Sequence, residues 1–294
     1  MYDDRHNCAM NARNTMDTST IAPADFIAGM AKGMAVLESF DTERQRLNAT
    51  LAAQRAGITR AAARRHLLTL AHLGYLETDG SFYWLSSKVL RFSGSYLASA
   101  RLPRVLQPTL SRLAAQTGES FSAVVRDAAE VVIVARSNSY QQLSHQIYYQ
   151  KNSTLGNKYA GYTPYGLHLG ARLPIHATST GRVLLAALSE PEFEAWAYVS
   201  NAVRTLPRLT VHTCTDMAKL RGIVAHVREV DYATASEEHE LGVHALAVPI
   251  RNMAGRTVAA LNVVTQPSRL EPQVFLRDLL PLLQDAAREL RSLL

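Results

Sequence analysis

Apolar residues recur every three or four positions in the first third of the chain, which is the spacing that buries one face of a helix. A first helix is predicted over about 27–40, where one side carries Ile27, Met30, Met34 and Leu37. A short second helix is predicted in LNATLAAQRAG, with Asn48 as its N-cap and Gly57 as its stop. The chain therefore begins its ordered part with two consecutive helices.

A third helix is predicted within GITRAAARRHLLTLAHLGYL, residues 57–76, with Thr59 as N-cap and Gly74 as stop. The positions that share its apolar face are Ala63, Leu67, Leu70 and Gly74. The opposite face carries Arg60, Ala61, Arg64 and Arg65. A solvated helix normally mixes acidic and basic residues, which pair four positions apart, and this face has no acidic residue.

Two short strands around Asp79-Gly80 are predicted by GYLETDGSFYWLSS, because Asp-Gly between strand-forming residues is a strong hairpin signal. Three helices followed by a hairpin predict a winged helix-turn-helix domain over 26–87, with the third helix in the major groove of DNA. Residues 1–25 are polar and lack the hydrophobic core of a signal peptide, so we expect a disordered tail there.

The rest of the chain alternates helical and strand patterns, which predicts an α+β fold with an effector-binding domain over 118–294. Residues 88–117 read as linker helices, interrupted by Pro103 and Pro108, and offer a dimerisation surface. Strands are predicted in SFSAVVRD, EVVIVARS and the hairpin GVHALAVPIRNMAGRTVAALNVV. Helices are predicted after HATST, over 215–230, and over 273–294 with a kink at Pro281. Residues 141–166 are irregular, and their role is left open.

The positions of the charged residues along the chain indicate a class of function. The 294-residue chain has a formal net charge of +6, yet the stretch 44–76 holds six arginines and no Asp or Glu. A local patch of this kind is the electrostatic footprint expected for double-stranded DNA, and the alternative is a solvated basic face. No apolar run approaches the roughly 20 residues that span a bilayer. The two cysteines, Cys8 and Cys214, argue against a disulfide framework, so we expect a cytoplasmic protein without membrane partners.

A second candidate site lies where HATSTGRVLL turns from loop to helix. A helix that begins near Thr178 leaves about four backbone N–H groups without intrahelical partners. Thr178, Ser179 and Thr180 add hydroxyl groups, and Gly181 would let a ligand come close. Such a terminus suits a carboxylate. The alternative is simple N-capping by a Thr or Ser side chain.

The sequence resembles IclR-type transcriptional regulators from Phe26 to the C-terminus. Besides the winged helix, the resemblance rests on RLPIHATSTGRVLLA, residues 172–186, and EEHELGVHALAVPI, residues 237–250. It implies a GAF-like effector domain, homodimers or dimers of dimers, and no cofactor. It also implies an activator of aromatic-acid catabolism that senses 4-hydroxybenzoate. One departure is the segment of about 141–162, which is longer than is usual in the family.

The same resemblance implies that Leu173, Ala245, Asn262 and Val264 line the effector cavity. Asn262 either holds the phenol hydroxyl of the effector or satisfies a hydrogen bond in the core. Arg126 lies in a strand pattern and either pairs with the carboxylate or forms a surface ion pair. His168 and His176 flank the loop before the predicted helix and are either hydrogen-bond donors to the effector or structural residues.

For DNA, the groove-facing candidates are Arg60, Ala61, Arg64 and Arg65, since arginine can bind guanine bidentately and alanine can contact the thymine methyl group. Thr59 can both cap the helix and contact a phosphate. Ser81 at the wing tip is a further candidate, although Glu77 and Asp79 make the wing less positive.

Two functions are alternatives to a DNA-binding regulator that senses 4-hydroxybenzoate. Glu237, Glu238, His239 and His244 invite a metal or acid–base interpretation, but they lack the H-E-x-x-H spacing, and no nucleophile elbow, Walker loop or dinucleotide fingerprint is present. We therefore expect neither an enzyme nor a metal site. The other alternative is a repressor that responds to a different small carboxylate, such as protocatechuate or a dicarboxylate, since activation or repression depends on the operator position.

Overall fold

The computed structural model describes residues 21–41, 44–137, 168–203, 206–265 and 272–294. The chain divides into two compact units, and the boundary between them falls between Ala100 and Arg101. Most of the expected tail and the irregular segment 141–166 lie outside the described residues. None of the helices in the described ranges is both long and apolar enough to cross a membrane.

The N-terminal unit is a winged helix-turn-helix, as predicted. Its elements are α1 Ala28–Leu37, α2 Ala49–Ala56, α3 Arg60–His72, β1 Leu76–Thr78, β2 Tyr83–Leu85, a 3-10 turn Ser87–Val89 and α4 Leu90–Ser99. The two strands pair antiparallel, and Leu47 bridges to Tyr83 beside them. The core of this unit is formed by the buried faces of α2 and α3, together with Val36, Leu47 and Leu76.

The helix boundaries are set by the caps expected from the sequence. The Asn48 side chain accepts hydrogen bonds from the amides of Thr50 and Leu51 at the start of α2. Gly57 ends this helix with φ +65°, a left-handed conformation that glycine adopts without strain. Thr59 caps α3 by accepting from the amide of Ala62 at 3.3 Å.

The predicted apolar side of α1 is wrong for three of its four residues. Ile27, Met30 and Met34 are exposed, whereas Leu37 packs against the core and α1 buries Val36 in it. The C-terminal end of α1 holds the helix against the core of the N-terminal unit, because Phe40, which follows the helix, is also buried in that core. Gly74, expected on the buried stripe of α3, is exposed after the helix end.

The prolines do not interrupt the helices where the sequence suggested. The break falls at Ala100, whose ψ of 123° is extended, and α5 then runs without interruption over Arg101–Thr117. Pro103 lies in the first turn of α5, where no intrahelical N–H bond is lost. Pro108 lies inside the same helix. Helix α5 belongs to the C-terminal unit, since its apolar face packs on the sheet described next.

The C-terminal unit is built on a six-stranded antiparallel sheet of order β5-β4-β3-β8-β7-β6. The strands are β3 Ser120–Asp127, β4 Glu130–Arg136, β5 Arg172–Pro174, β6 Ala233–Ser236, β7 His244–Arg251 and β8 Thr257–Thr265. The remaining helices are α6 Ser179–Ala186, α7 Glu190–Val203, α8 Met217–Val230 and α9 Pro272–Arg291, which contains Pro281, and a 3-10 turn Ile175–Ala177 precedes α6. The short strands β5 and β6 and helix α7 were not predicted.

The sheet has two buried faces, because successive side chains along a strand point to opposite sides. One face, with Phe121, Leu246 and Leu261, packs against α5 and α9. The other face, with Ile133 and Ala247, packs against α6 and α8. The second face carries the cavity considered below, so α6 is the helix that positions its polar groups.

Candidate functional site

The exposed face of α3 carries three arginines and no acidic residue. Ala63 and Leu67 are fully buried, which turns Arg60, Ala61, Arg64 and Arg65 to solvent, as predicted. Within the part of the chain that the structure describes, no carboxylate forms a salt bridge with these three arginines. The arrangement leaves three guanidinium groups free to bind phosphates or base edges.

Two of the other arginines of the basic stretch are already paired. Arg55 binds the carboxylate of Asp41 and the carbonyl of Ser39, and Arg46 binds Asp79 at 2.5 Å while lying 4.4 Å from the Trp84 ring centroid. The sequence pattern overestimated the free charge, because both carboxylates flank the acid-free segment rather than lying in it. The free charge is therefore concentrated on α3.

The wing tip is a tight turn organised by one carboxylate. Asp79 accepts hydrogen bonds from the amides of Phe82 at 2.8 Å and Ser81 at 3.0 Å. These bonds, and more weakly Arg46, hold the pKa of Asp79 below its usual range. The amide of Ser81 is thus engaged inside the turn, and its exposed hydroxyl remains available for a phosphate.

A cavity of about 740 Å³, including its open mouth, lies in the C-terminal unit between the sheet and the start of α6. Seven of the ten residues proposed for effector binding line it, namely Leu173, Thr178, Ser179, Thr180, Ala245, Asn262 and Val264. Its other apolar wall residues are Phe121, Val124, Ile133, Ala177, Ala235 and Val243.

The structure does not bring the other three proposed residues to the cavity. Arg126 is half-buried and close enough to Glu192 to lower the pKa of that carboxyl, after the larger effect of Ser189. His168 is exposed, with Nδ1 2.9 Å from the Leu169 carbonyl. His176 is buried, and its Nε2 lies 3.1 Å from the Pro207 carbonyl.

His176 therefore has a structural role. Its burial lowers its pKa, so the ring is neutral near pH 7 and donates from Nε2 to the carbonyl of Pro207. The sequence showed only that the histidine opens the HATST motif, and could not show on which side of the backbone the ring lies.

At the start of α6, the capping interpretation of the HATST motif applies to Thr178, and the binding of a carboxylate there stays a prediction. Thr178 is the N-cap, because its Oγ accepts from the amide of Gly181 at 3.1 Å. Ser179 is 1% exposed and lines the cavity, and its hydroxyl has no hydrogen-bond partner among the described residues. The amides of Ser179 and Thr180 precede the first intrahelical bond, from Arg182 to Thr178. The cavity therefore meets a cluster of neutral donors.

Gly181 is required by the backbone rather than by a ligand. A Cβ at this position would lie 1.8 Å from the carbonyl oxygen of Ile175, which is far inside van der Waals contact. The close approach packs the 3-10 turn against the first turn of α6. The expectation that Gly181 makes room for a ligand is therefore wrong.

A polar pair lies on the floor of the cavity. Ser122 on β3 faces Asn262 on β8 across the antiparallel ladder, and its hydroxyl donates to the Asn262 Oδ1. The bond leaves the Asn262 Nδ2 as a donor and the Ser122 oxygen as an acceptor. Sequence analysis missed Ser122 and Ser120, although the alternation Ser-x-Ser-x-Val over 120–124 places all three side chains on one face.

The loop over 237–243, called here the acidic loop, closes another side of the cavity with Glu238, His239, Glu240 and Val243. Glu238 binds Arg182 at 2.6 Å and accepts from the amide of Cys214 at 2.9 Å. Thr210 and Thr213 donate to loop carbonyls at 2.6 Å, which fixes the loop in place. A role of these glutamates in the cavity was not predicted from the sequence.

No metal chemistry is indicated where the structure describes the chain: no group of three or more His, Cys, Asp or Glu side chains is placed to hold a metal ion. His244, which was weighed for such a role, lies 3.2 Å from the Ser236 hydroxyl in the β6–β7 pair. The cavity is thus equipped to bind a ligand through hydrogen bonds and apolar contact.

Comparison with protein families supports both halves of this description. Residues 29–80 match the IclR helix-turn-helix domain. Residues 164–292 match the C-terminal domain of bacterial IclR transcriptional regulators. The two matches fall on the unit that contains α3 and on the unit that contains the cavity.

Individual relatives match over nearly the whole chain. The p-hydroxybenzoate hydroxylase transcriptional activator of Acinetobacter baylyi is 48% identical over 273 residues, which cover 93% of this chain and 94% of the relative. The Pca operon regulatory protein of the same organism is 46% identical over 281 residues, covering 96% and 94%. A crystal structure of a double mutant of the PobR inducer-binding domain from Acinetobacter, in complex with 3-hydroxybenzoic acid, is 44% identical. It has a TM-score of 0.55 and covers 65% of this chain and 98% of its own.

Proposed function

The chain belongs to the IclR family of bacterial transcriptional regulators, and we propose that it activates genes of aromatic-acid catabolism when 4-hydroxybenzoate occupies the cavity. It is a regulator and not an enzyme, as the family and its relatives show. The proposal rests above all on the unpartnered Ser179 hydroxyl, buried in the wall of an otherwise largely apolar cavity.

The cavity matches the groups of a hydroxybenzoate one by one. A buried carboxylate is costly unless it is hydrogen-bonded, and the amides and hydroxyls at the start of α6 can satisfy it without an arginine. The aromatic ring would lie among Leu173, Ala245 and Val264. The phenol hydroxyl would reach the Ser122–Asn262 pair, which offers it both a donor and an acceptor.

The relatives support this choice of ligand. One of them activates a p-hydroxybenzoate hydroxylase gene, and the related inducer-binding domain holds 3-hydroxybenzoic acid. Since the first of these matches over 93% of this chain, the comparison includes the cavity as well as the DNA-binding domain. A hydroxybenzoate is thus a ligand class that the fold accepts.

The DNA-binding half of the proposal assigns double-stranded operator DNA to the winged helix-turn-helix over 26–87. Its contacts are Arg60, Ala61, Arg64 and Arg65 in the major groove, with Thr59 and Ser81 on phosphates. The residues predicted as the linker, 88–117, divide between the two units: α4 follows the winged domain, and α5 packs on the sheet of the effector domain. Because its operator lies on bacterial DNA, the regulator would act in the cytoplasm.

Isothermal titration with the full chain tests the ligand assignment. We expect one 4-hydroxybenzoate to bind per chain, with saturation and without formation of any product. The same ligand should change the shift of operator DNA in a gel assay. Absence of binding heat and of any thermal stabilisation at millimolar ligand would overturn the proposal, and turnover of the ligand would revive the enzyme alternative.

A second candidate is a regulator of the same fold that responds to another small carboxylate. The 46% identity to the Pca operon regulatory protein is nearly equal to the 48% identity to the hydroxylase activator, so overall similarity does not choose between them. Protocatechuate therefore belongs in the same titration series. A repressor would be recognised by reduced transcription from the operator in the absence of ligand.

Assembly as a homodimer is also proposed. Helix α4 exposes four large apolar side chains, Leu90, Phe92, Tyr96 and Leu97, which is unusual for a helix that stays in water. We expect dimers, or dimers of dimers, that place two winged domains on successive half-sites. Light scattering coupled to gel filtration should give at least twice 32.3 kDa at micromolar concentration. A monomer in the presence of operator DNA would contradict the assignment.

A further inference from the structure

The two carboxyl groups that the acidic loop brings to the cavity are in different electrostatic situations. Glu238 and Glu240 both line the cavity, two positions apart on the same loop. Only one of them has a charged partner in the described chain, and this difference decides which negative charge an incoming ligand encounters.

Glu238 is neutralised where it lies. Its carboxylate is 12% exposed and binds the Arg182 guanidinium, whose side chain is 4% exposed, at 2.6 Å. Arg182 is fixed in turn by a hydrogen bond to the Thr234 carbonyl at 2.8 Å. A buried pair of this kind carries no net charge, so Glu238 adds little repulsion for an anion in the cavity.

Glu240 is not neutralised in this way. Across the described ranges, its carboxyl forms no hydrogen bond and no ion pair. Burial raises its pKa, which means that its negative charge is poorly solvated there. The neighbouring His239 gives no compensating charge, since burial lowers its pKa and keeps the ring neutral near pH 7.

Among the described residues that line the cavity, the other charged one is Arg136 at the end of β4. Arg182 is already paired with Glu238 and brings no surplus positive charge to the cavity. The neutral donors at the start of α6 can bind the first anionic group of a ligand. A second anionic group would add its negative charge to that of Glu240 and would have no donor cluster to bind it.

We propose that Glu240 restricts the effector to aromatic acids with a single negative charge, because its carboxylate repels a second anionic group on the ring. A neutral substituent with a hydrogen to donate, such as a hydroxyl, is tolerated, since a carboxylate accepts hydrogen bonds. This proposal rests on the proposed function. It adds to that function a residue that selects against dicarboxylates.

The test uses two ligands of one shape that differ by one charge: benzene-1,4-dicarboxylate and its monoamide, 4-carbamoylbenzoate. Isothermal titration at pH 7.5 with the full chain gives the ratio of their dissociation constants. We expect the wild type to bind the monoamide at least about thirtyfold more tightly, as two charges in a partly buried site predict. In Glu240→Gln this ratio should shrink at least about tenfold.

Glu237→Gln is the matched control. It removes the same charge from the same loop, but Glu237 does not line the cavity, and a glutamine oxygen can still accept from the Gly242 amide as Glu237 does at 2.8 Å. Its ratio should equal that of the wild type. Glu240→Ala should reduce the ratio of the two dissociation constants as Glu240→Gln does. Thermal unfolding checks that this variant is folded.

Three results would overturn the proposal. An unchanged ratio in both Glu240 variants, with 4-hydroxybenzoate still bound, would remove Glu240 as the selecting residue and leave the proposed function intact. A wild type that binds 4-hydroxybenzoate and rejects both test ligands equally would show that size, not charge, limits the cavity. A wild type that binds no aromatic acid would remove the proposed function and this selection together.

Discussion

4-Hydroxybenzamide is expected to bind the wild-type protein more than about a hundredfold more weakly than 4-hydroxybenzoate. The amide has nearly the shape of the carboxylate, but it is neutral and carries donor hydrogens of its own. At the start of α6, these hydrogens would face the amides of Ser179 and Thr180, which are themselves donors. Hydrogen bonds to a charged group contribute about 1.5–3 kcal/mol each, so the loss of two of them lowers the affinity by more than about a hundredfold.

A substitution in the cavity wall tests the same contact by changing the protein instead of the ligand. Ser179→Ala removes a hydroxyl that is buried without a partner, and we expect it to weaken 4-hydroxybenzoate binding by about 1–3 kcal/mol. The loss should be much smaller for 4-hydroxybenzamide. Thermal unfolding without ligand should change little, because the hydroxyl forms no hydrogen bond with the described chain.

Thr265→Val is the matched control for this experiment. Thr265 is 1% exposed, and its hydroxyl is likewise buried without a described partner, but the residue does not line the cavity. Isothermal titration should therefore give wild-type affinity for both ligands. If the wild type and Ser179→Ala each bind 4-hydroxybenzoate and 4-hydroxybenzamide with equal affinity, the carboxylate binds elsewhere. Arg136, which also lines the cavity, would then be the next candidate for binding it.

Arg64→Ala and Arg65→Ala are each expected to abolish operator binding at physiological salt while leaving effector binding intact. Both arginines lie on the exposed face of α3, where no described carboxylate competes for them. A base contact contributes about 1–3 kcal/mol of discrimination, and loss of a phosphate contact lowers the salt dependence of binding. Gel shifts over a series of salt concentrations measure both effects.

Lysine variants separate the two roles. Arg64→Lys and Arg65→Lys keep the charge but lose the planar fork that binds guanine bidentately. A lysine at a phosphate contact should retain most of the affinity, and one at a base contact should not. Arg256→Ala, an exposed arginine in the turn between β7 and β8, is the control. If both alanine variants shift operator DNA like the wild type, α3 is not the recognition helix.

The sequence by itself determined the features that depend on neighbours within a few positions. Asn48, Gly57 and Thr59 set the helix boundaries as expected, because a cap needs only the amides or the dihedral angles of adjacent residues. The basic face of α3 followed from the helical period alone. Asp79-Gly80 defined the wing for the same reason, since a tight turn is a local structure.

Local pattern was insufficient where an element is held by distant contacts. Helix α1 has an apolar face that predicted burial, yet Val36 and Phe40 near its end decide which side meets the core. The edge strands β5 and β6 have only three and four residues, so alternation over them gives almost no signal. Pairing with β4 and β7 makes them strands.

The cavity shows the same division. The donor cluster at the start of α6 was visible in HATSTGRVLL, because its groups are consecutive. The other polar groups meet only through the fold: Ser122 and Asn262 are 140 positions apart, and Arg182 and Glu238 are 56 apart. No periodicity connects residues at such separations. The sequence thus determined that the protein has a basic helix face in its helix-turn-helix and consecutive hydroxyl groups at a helix start, and only the antiparallel sheet decided which side chains complete the cavity.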